Sequence, residues 1–154
     1  MAWYWFLRGR LGEACRSLDM ALAVEGGTDD AAHARALAWR TGVAALMGDV
    51  DRRALHRTAA LELCQKIGDA GARARAEWFL GFVECDLGDP SVSEELVDQA
   101  LRTARAVADR WCIATALSTR AKQAMLRGDL GEVERSGAQS LEMFRELGDR
   151  KSVV

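Results

Sequence analysis

The 154-residue chain is long enough for one domain with a core of its own, and its net charge of −2 lacks the basic excess that direct nucleic-acid binding uses. Arg outnumbers Lys 18 to 3, Ala and Leu abound, Pro90 is the only proline and Asn is absent, a balance that favours helix and carries the bias of a GC-rich bacterial genome. No run approaches the roughly 18 apolar residues of a membrane span, and the start, Met1 to Arg8, lacks the basic region and cleavage site of a secretory signal, so the expected location is the cytoplasm with no membrane contact.

The first predicted helix is short, over 2–8, carries Trp3, Tyr4, Trp5 and Phe6, and stops at Gly9-Arg10. A helix over 11–25 follows and ends in Gly26-Gly27-Thr28-Asp29-Asp30. Helices over 30–47, 50–67, 70–87, 90–107, 110–127 and 130–147 then alternate with two-residue breaks: Gly48-Asp49, Gly68-Asp69, Gly88-Asp89, Ala108-Asp109, Gly128-Asp129 and Gly148-Asp149. Glycine supplies the left-handed residue that ends a helix, and the aspartate after it can accept from the free N–H groups of the next. Pro90 stands in a first helical turn, where proline is tolerated. Asp129-Leu130-Gly131-Glu132 has capping-box spacing, with Asp in place of Ser or Thr. In 130–147 the residues Leu130, Val133, Gly137, Leu141, Phe144 and Leu147 fall on one helical stripe.

The breaks repeat. Gly48-Asp49, Gly88-Asp89 and Gly128-Asp129 are 40 residues apart, and Gly9-Arg10 lies 39 before the first. Twelve residues after each glycine a small residue precedes Leu: Ala21-Leu22, Ala60-Leu61, Ala100-Leu101 and Ser140-Leu141. The chain reads as one helical-repeat domain over 1–154, with units at 1–28 (truncated), 29–68, 69–108 and 109–148, and 149–154 opening a further helix.

This pattern resembles the tetratricopeptide repeat. That family places a small residue in mid-helix A, seven before the inter-helix glycine; here the position holds Ala2, Thr41, Gly81 and Ala121. Its alanine late in helix B matches Ala21, Ala60 and Ala100, with Ser140 as the variant. Its aromatic near the start of helix A is replaced by Leu37, Glu77 and Leu117, and its 34-residue period is lengthened to 40. The resemblance implies an all-α, right-handed solenoid of antiparallel helix pairs. The longer period is similar to the arrays of LuxR-type, maltose-activator-like bacterial transcriptional regulators, which carry a signal-transduction ATPase. Trp3 to Ala14 looks like the opening of such an array, and Asp109-Arg110-Trp111 and Gly148-Asp149-Arg150 look like its joints. The resemblance implies a piece or short relative of such a regulator, although no ATPase or helix-turn-helix motif occurs in the chain.

Catalytic signatures are missing: there is no GxxxxGK[ST], GxSxG, HExxH or GxGxxG. His33 and His56 sit on different predicted helices without a ligand at metal spacing. The cysteines Cys15, Cys64, Cys85 and Cys112 form no close pair and read as small buried hydrophobes. No cofactor, metal or enzymatic activity is expected.

In stacked helix pairs helix A lines the inner face. By register with the family those positions hold Arg35, Ala38, Trp39 and Gly42, then Arg75, Trp78, Phe79 and Phe82, then Thr115, Ser118, Thr119 and Lys122. Aromatics beside arginines suit recognition, so Arg35, Trp39, Arg75, Trp78, Phe79, Phe82 and Lys122 are the candidate groove; the competing reading makes Trp39 and Phe79 inter-repeat core. The family's carboxylate clamp for chaperone tails needs Asn and cannot be built here. The expectation is a protein-interaction or sensor module for a protein, a peptide or a neighbouring domain. Alternatives are a small-molecule effector groove and self-association as a homo-oligomer through Trp3, Tyr4, Trp5 and Phe6.

Overall fold

The structure, a computed structural model, describes residues 8–23 and 30–148, and these are helical without a strand. Seven helices follow one another: α1 (Leu11–Leu22), α2 (Asp30–Leu46), α3 (Val50–Cys64), α4 (Ala70–Leu87), α5 (Pro90–Ala106), α6 (Arg110–Arg127) and α7 (Leu130–Glu146). None of them is long and apolar enough to cross a membrane. The helix expected over 2–8, and with it Trp3, Tyr4, Trp5 and Phe6, lies outside the described residues.

Each helix from α3 onward starts on an aspartate whose side chain accepts from the first turn. Asp49 takes Arg52 N (3.1 Å), Asp69 takes Gly71 N (2.9 Å), Asp89 takes Ser91 N (2.8 Å), Asp109 takes Cys112 N (3.1 Å) and Asp129 takes Glu132 N (3.0 Å). Three of the five also close the preceding helix. The N–H of Asp49, Asp109 and Asp129 donates to the carbonyl five residues back, at 3.0, 2.9 and 2.9 Å. This arrangement needs a left-handed residue just before the aspartate: Gly48 (φ 72°), Gly128 (φ 77°) and, without glycine's freedom, Ala108 (φ 55°). It also explains why the capping box at Asp129 is only half made. The Asp129 N–H is already held by Ala124 O, and the Glu132 carboxylate turns to Ser136 and Arg135.

Gly88 departs from the left-handed expectation, with φ −138°. Here the Glu84 side chain curls back, and its Oε2 accepts the Asp89 N–H at 2.9 Å. Glu84 Oε1 lies 3.3 Å from Arg57 Nη1 on α3, an ion-pair distance without hydrogen-bond alignment.

The pairs α2–α3, α4–α5 and α6–α7 pack closely, α2, α4 and α6 also pack on one another in succession, and α1 packs on α2. The main core joins Leu37 and Trp78 to Leu80, Val97, Leu101 and Leu117. Fully burying one such leucine or valine stabilises by about 1.5–3 kcal/mol. Small residues set the spacing: a Cβ on Gly81 would meet Val97 Cγ2 at 2.9 Å, so α4 and α5 touch backbone to side chain. Ser93 donates to Gly81 O (2.7 Å) and receives Gln123 Nε2 (2.7 Å), tying α4, α5 and α6 through one buried chain of bonds. Ser140 repeats the device on α7, donating to Ala114 O at 2.8 Å.

Two packing expectations are corrected. On α7 the buried stripe is Ser136, Ser140 and Phe144; Leu130 and Leu147, at the two ends of the expected stripe, are 75% and 39% exposed. Ala60, Ala100 and Ser140 are buried as small contact residues, but Ala21 is exposed.

Candidate functional site

The face formed by α2, α4 and the start of α6 carries two adjoining hollows. Trp39 from α2 and Phe79 from α4 stand between them, ring centroids 4.2 Å apart and tilted by 36°, and line both. These two residues are 40 apart, so the period places the same ring position of successive units against each other.

The larger hollow, about 590 Å³, is walled by Trp39, Trp78, Phe79 and Trp111, with Arg35 and Arg75 at its edge. Trp78 is nearly buried and donates its indole N–H to Thr119 Oγ1 at 3.1 Å. It meets Trp111 edge-on at 5.2 Å. Arg75 reaches Asp109 Oδ2 at 2.6 Å and lies 6.0 Å from the Trp111 ring centre; the Asp109 bond holds the Arg75 guanidinium above its usual value. Arg35 is exposed and makes no ion pair or hydrogen bond among the described residues.

The smaller hollow, about 310 Å³, is lined by Trp39, Gly42, Val43, Leu46, Phe79, Phe82, Val83, Asp86 and Leu87. Gly42 lets α2 and α4 approach closely at its wall: a Cβ there would lie 3.3 Å from both Phe79 and Val83. The equivalent positions 40 and 80 residues on hold Phe82 and Lys122. Lys122 pairs with Asp86 Oδ1, and its ammonium stands 5.6 Å from the Phe82 ring centre.

Six of the seven groove candidates therefore line these hollows: Arg35, Trp39, Arg75, Trp78, Phe79 and Phe82. Lys122 stands beside them on Phe82 and Asp86. Phe79 is buried and packs in the inter-helix core as well as lining the face. Trp111, Asp69 and Asp86 were not among the candidates. The period itself points to Trp111, since Ala31, Gly71 and Trp111 stand at equivalent positions and all line the larger hollow.

Away from this face several titratable groups are shifted by burial. Glu77 is buried between α4 and α5, accepts Gln99 Nε2 at 3.0 Å and leaves Oε2 without a hydrogen bond; burial raises its carboxyl above the usual range, against the lowering charges of Arg73 and Arg102. His56 is lowered, first by burial and then by Arg40. Burial pushes the Cys64 thiol to about 11 and Cys112 to about 12. Among the described residues no three His, Cys, Asp or Glu side chains gather as metal ligands.

Compared with protein-family models, curated proteins and solved structures, the chain matches none. Fold and site define an all-helical, repeat-patterned protein with an aromatic-lined face.

Proposed function

We propose that the chain is a non-catalytic interaction module of the tetratricopeptide kind, a right-handed stack of antiparallel helix pairs that presents α2, α4 and α6 to a protein or peptide. One observation carries this reading: two adjoining hollows share the Trp39–Phe79 wall, and exposed Arg35 stands at the edge of one of them. A pre-formed concave face with aromatic anchors and a few polar groups at its rim is the ordinary form of a recognition surface. The succession of packing from α2 to α4 to α6 supports the stack, and the joint sequences Asp109-Arg110-Trp111 and Gly148-Asp149-Arg150 support a cytoplasmic, bacterial regulator of the LuxR type as its setting. The test is peptide selection on the immobilised chain, followed by fluorescence anisotropy of the enriched sequences. Binding should fall at least tenfold in Arg35→Glu and in Phe82→Ala. Enriched peptides indifferent to both changes would place the interaction elsewhere.

A second reading, a small-molecule effector site, is favoured by the hollow beside Gly42. Its volume stands at the lower end of ligand cavities, which span about 300–1,000 Å³, and aromatic and aliphatic side chains make up most of its lining.

A further inference from the structure

We infer that the hollow beside Gly42 selects a small cationic amphiphile: an ammonium joined to an apolar body. The inference rests on the small-molecule reading and names the ligand class. The volume of about 310 Å³ seats a body of on the order of ten water-sized units at about 30 Å³ each.

The lining sets the charge. Of the nine residues around the hollow, Asp86 alone is ionisable; the others present indole, benzyl, aliphatic or glycine surface. One carboxylate at an aromatic-walled cavity repels anions and favours a cation, which the ring faces also attract. The molecule already seats an ammonium on these groups. Lys122, reaching over from α6, pairs with Asp86 Oδ1 and stands 5.6 Å from the Phe82 ring centre. Lys122 does not itself line the hollow, whereas Asp86 does. A ligand ammonium entering from the hollow side thus meets the Asp86 carboxylate and the same ring, in competition with Lys122 for the Asp86 charge. The pair being displaced is partly exposed on both sides, so loosening it costs little.

The probes are 4-phenylbutylamine, its neutral counterpart 4-phenylbutanol and its anionic counterpart 4-phenylbutyrate, titrated calorimetrically into the full chain. The amine should bind about tenfold tighter than the alcohol, and the acid most weakly. Asp86→Asn should abolish the preference for the amine. Lys122→Ala should tighten the amine about threefold and leave the alcohol unchanged, a gain that misfolding cannot imitate. Leu46→Trp, at the rim, should weaken amine and alcohol alike. Equal binding of amine and alcohol, both lost in Leu46→Trp, would overturn the charge selection and leave the small-molecule reading standing. No binding of any probe would overturn both. Binding of a lysine-containing peptide through Asp86, without binding of the amine, would replace the small ligand by a protein segment and overturn the inference.

Discussion

The carboxylate of Glu84 occupies the space that a side chain at Gly88 would need: a Cβ on Gly88 would lie 1.9 Å from Glu84 Oε2 and 3.1 Å from Glu84 Cα. Glycine at this break serves close approach of the Glu84 carboxylate, since its φ of −138° is not the left-handed region. At Gly48 the requirement is reversed. There φ is 72° and nothing lies within 4 Å of the missing Cβ.

Gly88→Ala should therefore expel the Glu84 carboxylate, leaving the Asp89 N–H without its acceptor and Arg57 without its partner. The expected loss is about 2–3 kcal/mol, against about 1–2 kcal/mol of backbone strain for Gly48→Ala. Urea denaturation of a double-mutant cycle separates the two causes. In a Glu84→Ala background the cost of Gly88→Ala should fall below about 1 kcal/mol, whereas Gly48→Ala should cost the same in both backgrounds. Additive behaviour at Gly88 would show that the carboxylate does not set the requirement.

The Asp109 side chain does two tasks where that of Asp129 does one. Both cap a helix, but Asp109 Oδ2 also holds Arg75 at 2.6 Å, from the rim of the larger hollow. Asp129→Ala should cost about 1 kcal/mol, the usual worth of such a cap. Asp109→Ala should cost about 2 kcal/mol, the ion pair adding up to about 1 kcal/mol because the Arg75 side chain is more than half exposed. Asp109→Asn retains a capping oxygen and should fall between the two. Equal losses in the two alanine variants would mean that the Arg75 pair contributes nothing to stability.

Buried Glu77 and half-buried His56 should tilt stability with pH in opposite senses. Burial raises the folded carboxyl of Glu77 above its ordinary 4.5, so the folded state binds the extra proton and stability falls as pH rises through that window. Glu77→Gln keeps an acceptor for Gln99 and should be more stable than the parent at neutral pH, the margin closing as pH falls to 4.5. His56 is depressed below 6.5, first by burial and then by Arg40, so it contributes stability above 6.5 that is lost as pH falls through its folded value. His56→Gln should flatten that acid limb. Urea midpoints measured across the two windows check both; a Glu77→Gln margin that grows on acidification would contradict the first.

Most of the helix boundaries were legible because each rests on a local device. Asp69, Asp89 and Asp109 announce the starts of α4, α5 and α6 without reference to anything distant, and those starts fall where the breaks placed them. The face was legible through the 40-residue period, which aligns Trp39 with Phe79 and Arg35 with Arg75. What depends on space between helices was not. The hollow beside Gly42 lies between α2 and α4, where Gly42 faces Phe79 and Val83 of the other helix, and a sequence stripe gives no sign of it. Ser136 and Ser140 are buried on α7 where leucines drew attention; for Ser140 the reason is a bond to Ala114 O on α6, a partner that no periodicity on α7 reveals.

The range of the packing has a consequence for how the molecule comes apart. Among the described residues closely packed helices are never more than two apart in chain order, so these helices gain their neighbours without closing a long loop, and folding can spread from any well-packed pair. Amide hydrogen exchange should then be slowest in α4 and α5, which have partners on both sides, and quicken toward α1 and α7, giving a gradient of protection along the chain where a single-core globule would open as a whole.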